Sequence, residues 1–204
     1  MIARIRFKKF NQDWNKFVFN TGIYIVYGES GVGKSSLLDA FQGKRLKDSL
    51  NFEMNISLDP ALKVYRIFHN PDHQIIASTV SNEITFAGEC KQLDPKQLKK
   101  ILDRNLKYLP DHIDPMMNPG YLSGGEKELL NLVTALDFDP NILLIDDGLS
   151  FLSDKNKEHC LAMMKDWTEC SGGIIIWVTS DIEDLRCGEN SLTLSLDSLH
   201  DYIP

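Results

Sequence analysis

Three stretches of the chain are apolar without alternation: Ile23-Tyr24-Ile25-Val26-Tyr27, Ile142 to Ile145, and Ile174 to Val178. A strand covered on one face alternates apolar with polar residues, so unbroken runs of this kind predict strands buried on both faces, as in a parallel sheet. The segment from about Lys155 to Trp167 predicts a helix crossing between the second and third of these strands. Lys34 to Gln42 places Leu37, Leu38 and Phe41 at helical spacing and stops at Gly43, a residue suited to a C-terminal cap. Between Leu93 and Leu109, the residues Leu98, Ile101, Leu102, Leu106 and Leu109 recur three to four apart with lysines opposite, the pattern of an amphipathic surface helix. Pro110, Pro115 and Pro119 then impose a loop. The first twenty residues, rich in Phe and Ile, and the tail Leu192 to Leu196, which alternates apolar with Ser/Thr, predict edge strands. Gly172-Gly173 reads as a turn. Strands alternating with helices make the fold class α/β.

Size and charge narrow the possible functions. With 204 residues, 43% hydrophobic and 25% charged, the chain suits a single globular domain with a sizeable core. Its net charge of -7 gives no overall basic field, which disfavours nucleic acid as a partner. The longest apolar run is far short of the roughly 20 residues that cross a bilayer, and the N-terminus interleaves basic with apolar residues, unlike a secretion signal. Work at a membrane would therefore require docking through another chain. Cys90, Cys160, Cys170 and Cys187 form no Cys-x-x-Cys pair and have no His at zinc-finger spacing, so they read as reduced thiols of a cytoplasmic protein.

Gly28-Glu29-Ser30-Gly31-Val32-Gly33-Lys34-Ser35 satisfies G-x-x-x-x-G-K-[ST], and Ser36 follows it. The motif lies after a predicted strand and opens a predicted helix, which is the context it requires. Glycines let a loop wrap phosphate oxygens with N–H groups pointing inward. The helix N-terminus after Gly33 adds a favourable dipole. Lys34 is placed for the β- and γ-phosphates of a nucleoside triphosphate, and the Ser35 hydroxyl for Mg²⁺.

Leu122-Ser123-Gly124-Gly125-Glu126 follows the proline-rich loop and begins a predicted helix from Lys127 to Leu136. Ser123, Gly124 and Gly125 offer a hydroxyl and bare N–H groups at a helix N-terminus, a second anion cradle far along the chain from the first. The segment resembles the LSGGQ signature of ATP-binding-cassette (ABC) proteins. The spacing of that family is kept: 146 minus 123 puts the end of Ile142-Leu143-Leu144-Ile145-Asp146 at 23 residues beyond Ser123, with Asp139-Pro140 between. By this resemblance Asp146 is the Walker B aspartate that, with Ser35, holds Mg²⁺. Phe68-His69-Asn70-Pro71-Asp72-His73-Gln74-Ile75-Ile76, with Thr79-Val80 after it, is similar to a segment of the energy-coupling-factor and cobalt-type importer ATPases. The resemblance covers essentially the whole chain. It implies a P-loop NTPase fold with an N-terminal antiparallel β part, a nucleotide-binding core over 1–82 and 130–204, and a helical subdomain with the signature over 83–129.

Four positions depart from the family pattern. The water-activating Glu expected after Asp146 is Asp147, one methylene shorter. The switch histidine expected after the strand Ile174 to Thr179 is Ser180. The glutamine expected after Phe68 is His69, either a surface loop residue or a substitute that contacts Mg²⁺-bound water. In Ser150-Phe151-Leu152-Ser153-Asp154 the expected aspartate position reads Ser153, with Asp154 one place later. Members of one catalytic unit act jointly, so altered groups at Asp147, His69 and Ser180 imply ATP binding with slow turnover. The resemblance also implies that Phe10, or else Trp14, stacks on adenine, although either is equally a core or strand aromatic. Ile75 and Ile76 read either as a docking patch for a membrane subunit or as ordinary core.

The resemblance thus implies an ATPase subunit that sandwiches Mg-ATP with a second ABC ATPase chain, identical or not. It would sit in the cytoplasm, held at the membrane's inner face by an integral transport subunit without inserting. A second reading is an ATP-gated dimerising regulatory module with little hydrolysis. A third, a chromosome- or repair-type ABC ATPase, would need long coiled coils between phosphate loop and signature, and 123 minus 35 leaves only 88 residues.

Overall fold

The computed structural model describes residues 3–9, 15–44, 52–187, 190–194 and 199–201. The apolar runs are strands β3 (Gly22–Tyr27), β6 (Ile142–Asp146) and β7 (Ile174–Thr179). With β5 (Val64–Ile67), β8 (Asn190–Leu194) and β9 (Leu199–Asp201) they form a six-stranded sheet in the order β5-β6-β7-β3-β8-β9. The first five strands of that order are parallel and β9 is antiparallel. A separate antiparallel sheet has the order β2-β1-β4, with β1 (Ala3–Lys9), β2 (Asn15–Phe19) and β4 (Phe52–Ser57).

Successive side chains of a strand point to opposite faces, and each face of the parallel sheet has its own core. On one, Ile25, Leu143, Ile145, Ile175 and Trp177 pack against α4 (Gly124–Asp137) and α5 (Asp154–Ser171). On the other, Tyr24, Val26, Ile142, Leu144, Ile174, Ile176 and Val178 meet α1 (Lys34–Phe41) and the antiparallel sheet's Ala3 and Phe19. Helices α2 (Val80–Cys90) and α3 (Pro95–Asn105) pack together, and α2 lies on α4. The predicted surface helix is thus α3 with a 3-10 turn over Leu106–Tyr108.

Two of the predicted edge strands lie inside their sheets. The tail strand β8 pairs with β3 on one side and β9 on the other, and its Leu192 and Leu194 are buried. Strand β1 is flanked by both β2 and β4. The register aligns the carboxyl ends of the three central strands, Tyr27 opposite Thr179 and Asp146 opposite Val178. Ligands of open parallel sheets gather outside such ends.

Candidate functional site

Leaving β3, the chain turns through Gly28 to Gly33 and enters α1. Gly31 and Gly33 have φ of 83° and 107°, values a side chain would strain. A Cβ on Gly28 would lie 2.6 Å from Val32 Cγ1, so a larger residue would push the loop apart. The turn is closed by the Val32 N–H donating to Glu29 O (3.3 Å) and the Gly28 N–H to Thr179 O on β7 (3.1 Å). Lys34 is buried, and its ammonium donates to the carbonyls of Gly28 (2.6 Å) and Glu29 (3.1 Å). Glu29, Ser30 and Gly31 are exposed, and Ser36 is half-buried on α1. The result is a loop with a central cation and open backbone.

Ser35, next on α1, points at the end of β6: its hydroxyl lies 3.4 and 3.5 Å from the two carboxylate oxygens of Asp146. Two hard oxygen donors this close suit a Mg²⁺ ion that keeps several waters. Asp146 also forms an ion pair with Arg66 of β5, a residue the sequence reading passed over. One position on, Asp147 sits in the left-handed region (φ 51°) and accepts two hydrogen bonds from Ser180, from the main-chain N–H (2.9 Å) and the hydroxyl (3.0 Å). Asp147, Ser180 and His69 line one cleft of about 440 Å³ together with Lys157, Trp177 and Asp184. The three candidates drawn from different parts of the sequence are therefore brought together. Lys157 donates to Asp184 (2.7 Å), which also accepts from Thr179 Oγ1 (2.6 Å).

The segment read as a second anion cradle opens α4. Ser123 is its N-cap and exposed, accepting from the Glu126 N–H (3.4 Å), while its own N–H and hydroxyl both donate to Glu126 Oε2 (2.7 Å each). Burial acts to raise the Glu126 carboxyl, but hydrogen bonds from Ser123 and His112 outweigh it and hold the group below its ordinary value. The two glycines have a packing reason beside the bare N–H groups. A Cβ on Gly124 would lie 3.2 Å from the Phe151 ring, and one on Gly125 would lie 2.9 Å from Phe151 O. Among the described residues, the hydrogen bonds of Ser123 stay within α4 and none reaches residues 28–36.

The segment Phe68 to Ile76 is fastened to both neighbours. Gln74 accepts from the Phe68 N–H (2.8 Å) and donates to Arg66 O (2.8 Å), so it ties the segment to β5. Lys127 pairs with Asp72 (2.7 Å) and Asn131 donates to Pro71 O (3.0 Å), which bolts the same segment to the signature helix. Ile75 and Ile76 part company: Ile75 packs on the core and Ile76 is 66% exposed. Glu128 was a second omission of the sequence reading. Buried on α4, it accepts from the Phe151 N–H (3.1 Å) beyond β6, and burial pushes its carboxyl up to about 7. Phe10 and Trp14 lie outside the described residues.

Residues 15–150 match a family described as ABC transporter. The chain belongs to the ABC transporter family. One curated relative, the energy-coupling factor transporter ATP-binding protein EcfA1 of Mycoplasma capricolum subsp. capricolum, is 31% identical over 188 residues, covering 87% of this chain and 46% of the relative. A Streptococcus thermophilus protein of the same name is 24% identical over 208 residues, 95% of this chain and 75% of its own length. The chain thus spans about half the length of the Mycoplasma capricolum relative, 46%. Among solved structures, cbiO1 from Clostridium perfringens superposes with a TM-score of 0.76 at 19% identity, over 97% of this chain and 88% of its own. An ATP-binding cassette solved as a dimer bound to ADP and Pi gives 0.75 at 19% identity, with both chains covered in full. The α/β fold is therefore that of ABC ATPases. Within this ABC family member, residues 28–35 and Asp146 meet through Ser35, while α4, which begins at Ser123, is joined by Lys127 and Asn131 to the segment that Gln74 ties to β5.

Proposed function

We propose that this chain is an ATP-binding and ATP-hydrolysing subunit of an energy-coupling-factor or cobalt-type importer. The observation that carries the reading is the meeting of Ser35, beside Lys34, with Asp146 at the carboxyl ends of β3 and β6, the parallel strands on either side of β7, while Ser123 stands exposed on another element and, among the described residues, bonds nothing in 28–36. Residues 28–36 hold the triphosphate, and Ser35 and Asp146 hold Mg²⁺, which when bound neutralises charge between the phosphates. Ser123, Gly124 and Gly125 close over the γ-phosphate held by a second ABC ATPase chain. A core of 1–82 and 130–204 and a helical part of 83–129 then move as the pair opens and shuts. No helix of the described residues is long and apolar enough to cross a membrane, and the chain docks at the inner face through a membrane subunit, with exposed Ile76 in the contact.

Hydrolysis at this chain's own site is slow, because Asp147 is short and both its oxygens are engaged by Ser180. The same observation favours the second reading, a module whose dimerisation follows ATP binding with little turnover. Purified chain should bind ATP, dimerise in its presence by light scattering, and release phosphate slowly. Rapid turnover as a lone monomer would refute both readings.

A further inference from the structure

Strand β5 reads Val64-Tyr65-Arg66-Ile67, a permanent cation set inside an apolar strand. The Arg66 guanidinium is 7% exposed, and burial of such a charge is tolerated only where counter-charges meet it. It bonds Asp39 of α1 (2.6 Å) and Asp146, touches Gln42 Oε1 (3.5 Å), and lies 5.4 Å from the Phe68 ring. Its buried Nε has no hydrogen-bond partner among the described residues, so the charge is met through the two terminal nitrogens. One oxygen of Asp146 is thus held by Arg66 while the other lies 3.4 Å from Ser35.

We infer that Arg66 is a resident counter-ion of Asp146 that takes over part of the task of the divalent cation, so that this chain holds ATP with only weak dependence on Mg²⁺. The inference rests on the nucleotide-site reading above. A triphosphate arriving without metal brings several negative charges toward the Asp146 carboxylate. Arg66, shared with Asp39, has already offset part of that charge, so the repulsion is reduced. When Mg²⁺ arrives it meets a carboxylate whose charge is shared with a cation one side chain away, and it is held less firmly. Arg66 acts through Asp146 and is a positioning residue.

The test is equilibrium binding of a fluorescent ATP analogue to the full chain, in EDTA and across a Mg²⁺ titration. The wild type should show an EDTA-to-Mg²⁺ ratio of dissociation constants below about tenfold. Arg66→Met should raise that ratio by about tenfold or more and lower the Mg²⁺ midpoint, since Asp146 regains its full charge. Arg66→Lys should stay near wild type. Asp39→Asn should act in the opposite direction: the guanidinium then belongs to Asp146 alone, the ratio falls and the midpoint rises. Asp39 also meets Lys44 (3.2 Å) on the surface and touches no proposed nucleotide contact, so its variant carries the test should Arg66→Met not fold. A wild-type ratio in the Arg66→Met protein with only a lower melting temperature, or an unchanged ratio in Asp39→Asn, would reduce Arg66 to a pin between α1 and β6 and overturn the inference. Absence of any nucleotide binding in the wild type would overturn the nucleotide-site reading itself, and this one with it.

Discussion

Ser180 donates to both carboxylate oxygens of Asp147, through its main-chain N–H at 2.9 Å and its hydroxyl at 3.0 Å. The pair joins the end of β6 to the end of β7, and it turns the carboxylate toward its own chain. A water molecule would have to compete with Ser180 for either oxygen. The short side chain adds to the distance it must cover, and a displacement of roughly 1 Å can cost about a hundredfold in rate.

Lengthening both partners should therefore restore turnover. Asp147→Glu combined with Ser180→His is expected to raise phosphate release by about tenfold or more, with ATP affinity little changed. Unchanged turnover in the double variant would move the barrier away from this pair.

Lys34 spends its ammonium on the Gly28 and Glu29 carbonyls, contacts that a phosphate would replace with a stronger, charge-assisted set. Lys34→Ala should weaken ATP binding by about 2 kcal/mol, roughly thirtyfold, by calorimetry. Retained affinity would exclude residues 28–36 as the phosphate cradle.

The strand, loop and helix from Ile23 to Phe41 were legible because every signal there is local: an unbroken apolar run, glycines where the loop turns sharply, and leucines at helical spacing. The same holds for the start of α4 at Ser123. β8 was misplaced because its alternation of Leu192, Thr193 and Leu194 is the pattern of an edge, and only pairing with the distant β3 makes it internal. Arg66 was invisible for a related reason. Its meaning depends on Asp39 and Asp146, 27 and 80 positions away, which no spacing rule connects. Ile75 and Ile76, adjacent in sequence, needed the packing itself to tell the buried one from the exposed one.

Glu128 gives a pH dependence of definite sign. Burial holds its carboxyl at about 7 in the folded chain against an ordinary 4.5. Between those values the folded state binds the extra proton, so stability from this group is full below 4.5 and is lost as pH rises to about 7. Glu128→Gln keeps an acceptor for the Phe151 N–H and cannot ionise. Denaturation from about pH 4 to about pH 8 should show wild type and variant converging at the acid end and the variant more stable at the alkaline end. Parallel curves at every pH would show that Glu128 is not the group responsible.

Ser123 has two tasks that can be separated. Within its own chain it caps α4, and losing such a cap costs about 1 kcal/mol. Across the proposed dimer its hydroxyl meets the γ-phosphate. Ser123→Ala removes the cap and one hydrogen bond, and should lower the melting temperature slightly while leaving an ATP-induced dimer that forms less readily. Ser123→Arg loses the same cap but adds a long side chain to an exposed surface that must close on nucleotide. It should match the alanine variant in stability, bind ATP as a monomer, and fail to dimerise by light scattering. Dimers of normal affinity in the arginine variant would mean that the second cradle faces solvent in the assembled pair, and the composite site would have to be abandoned.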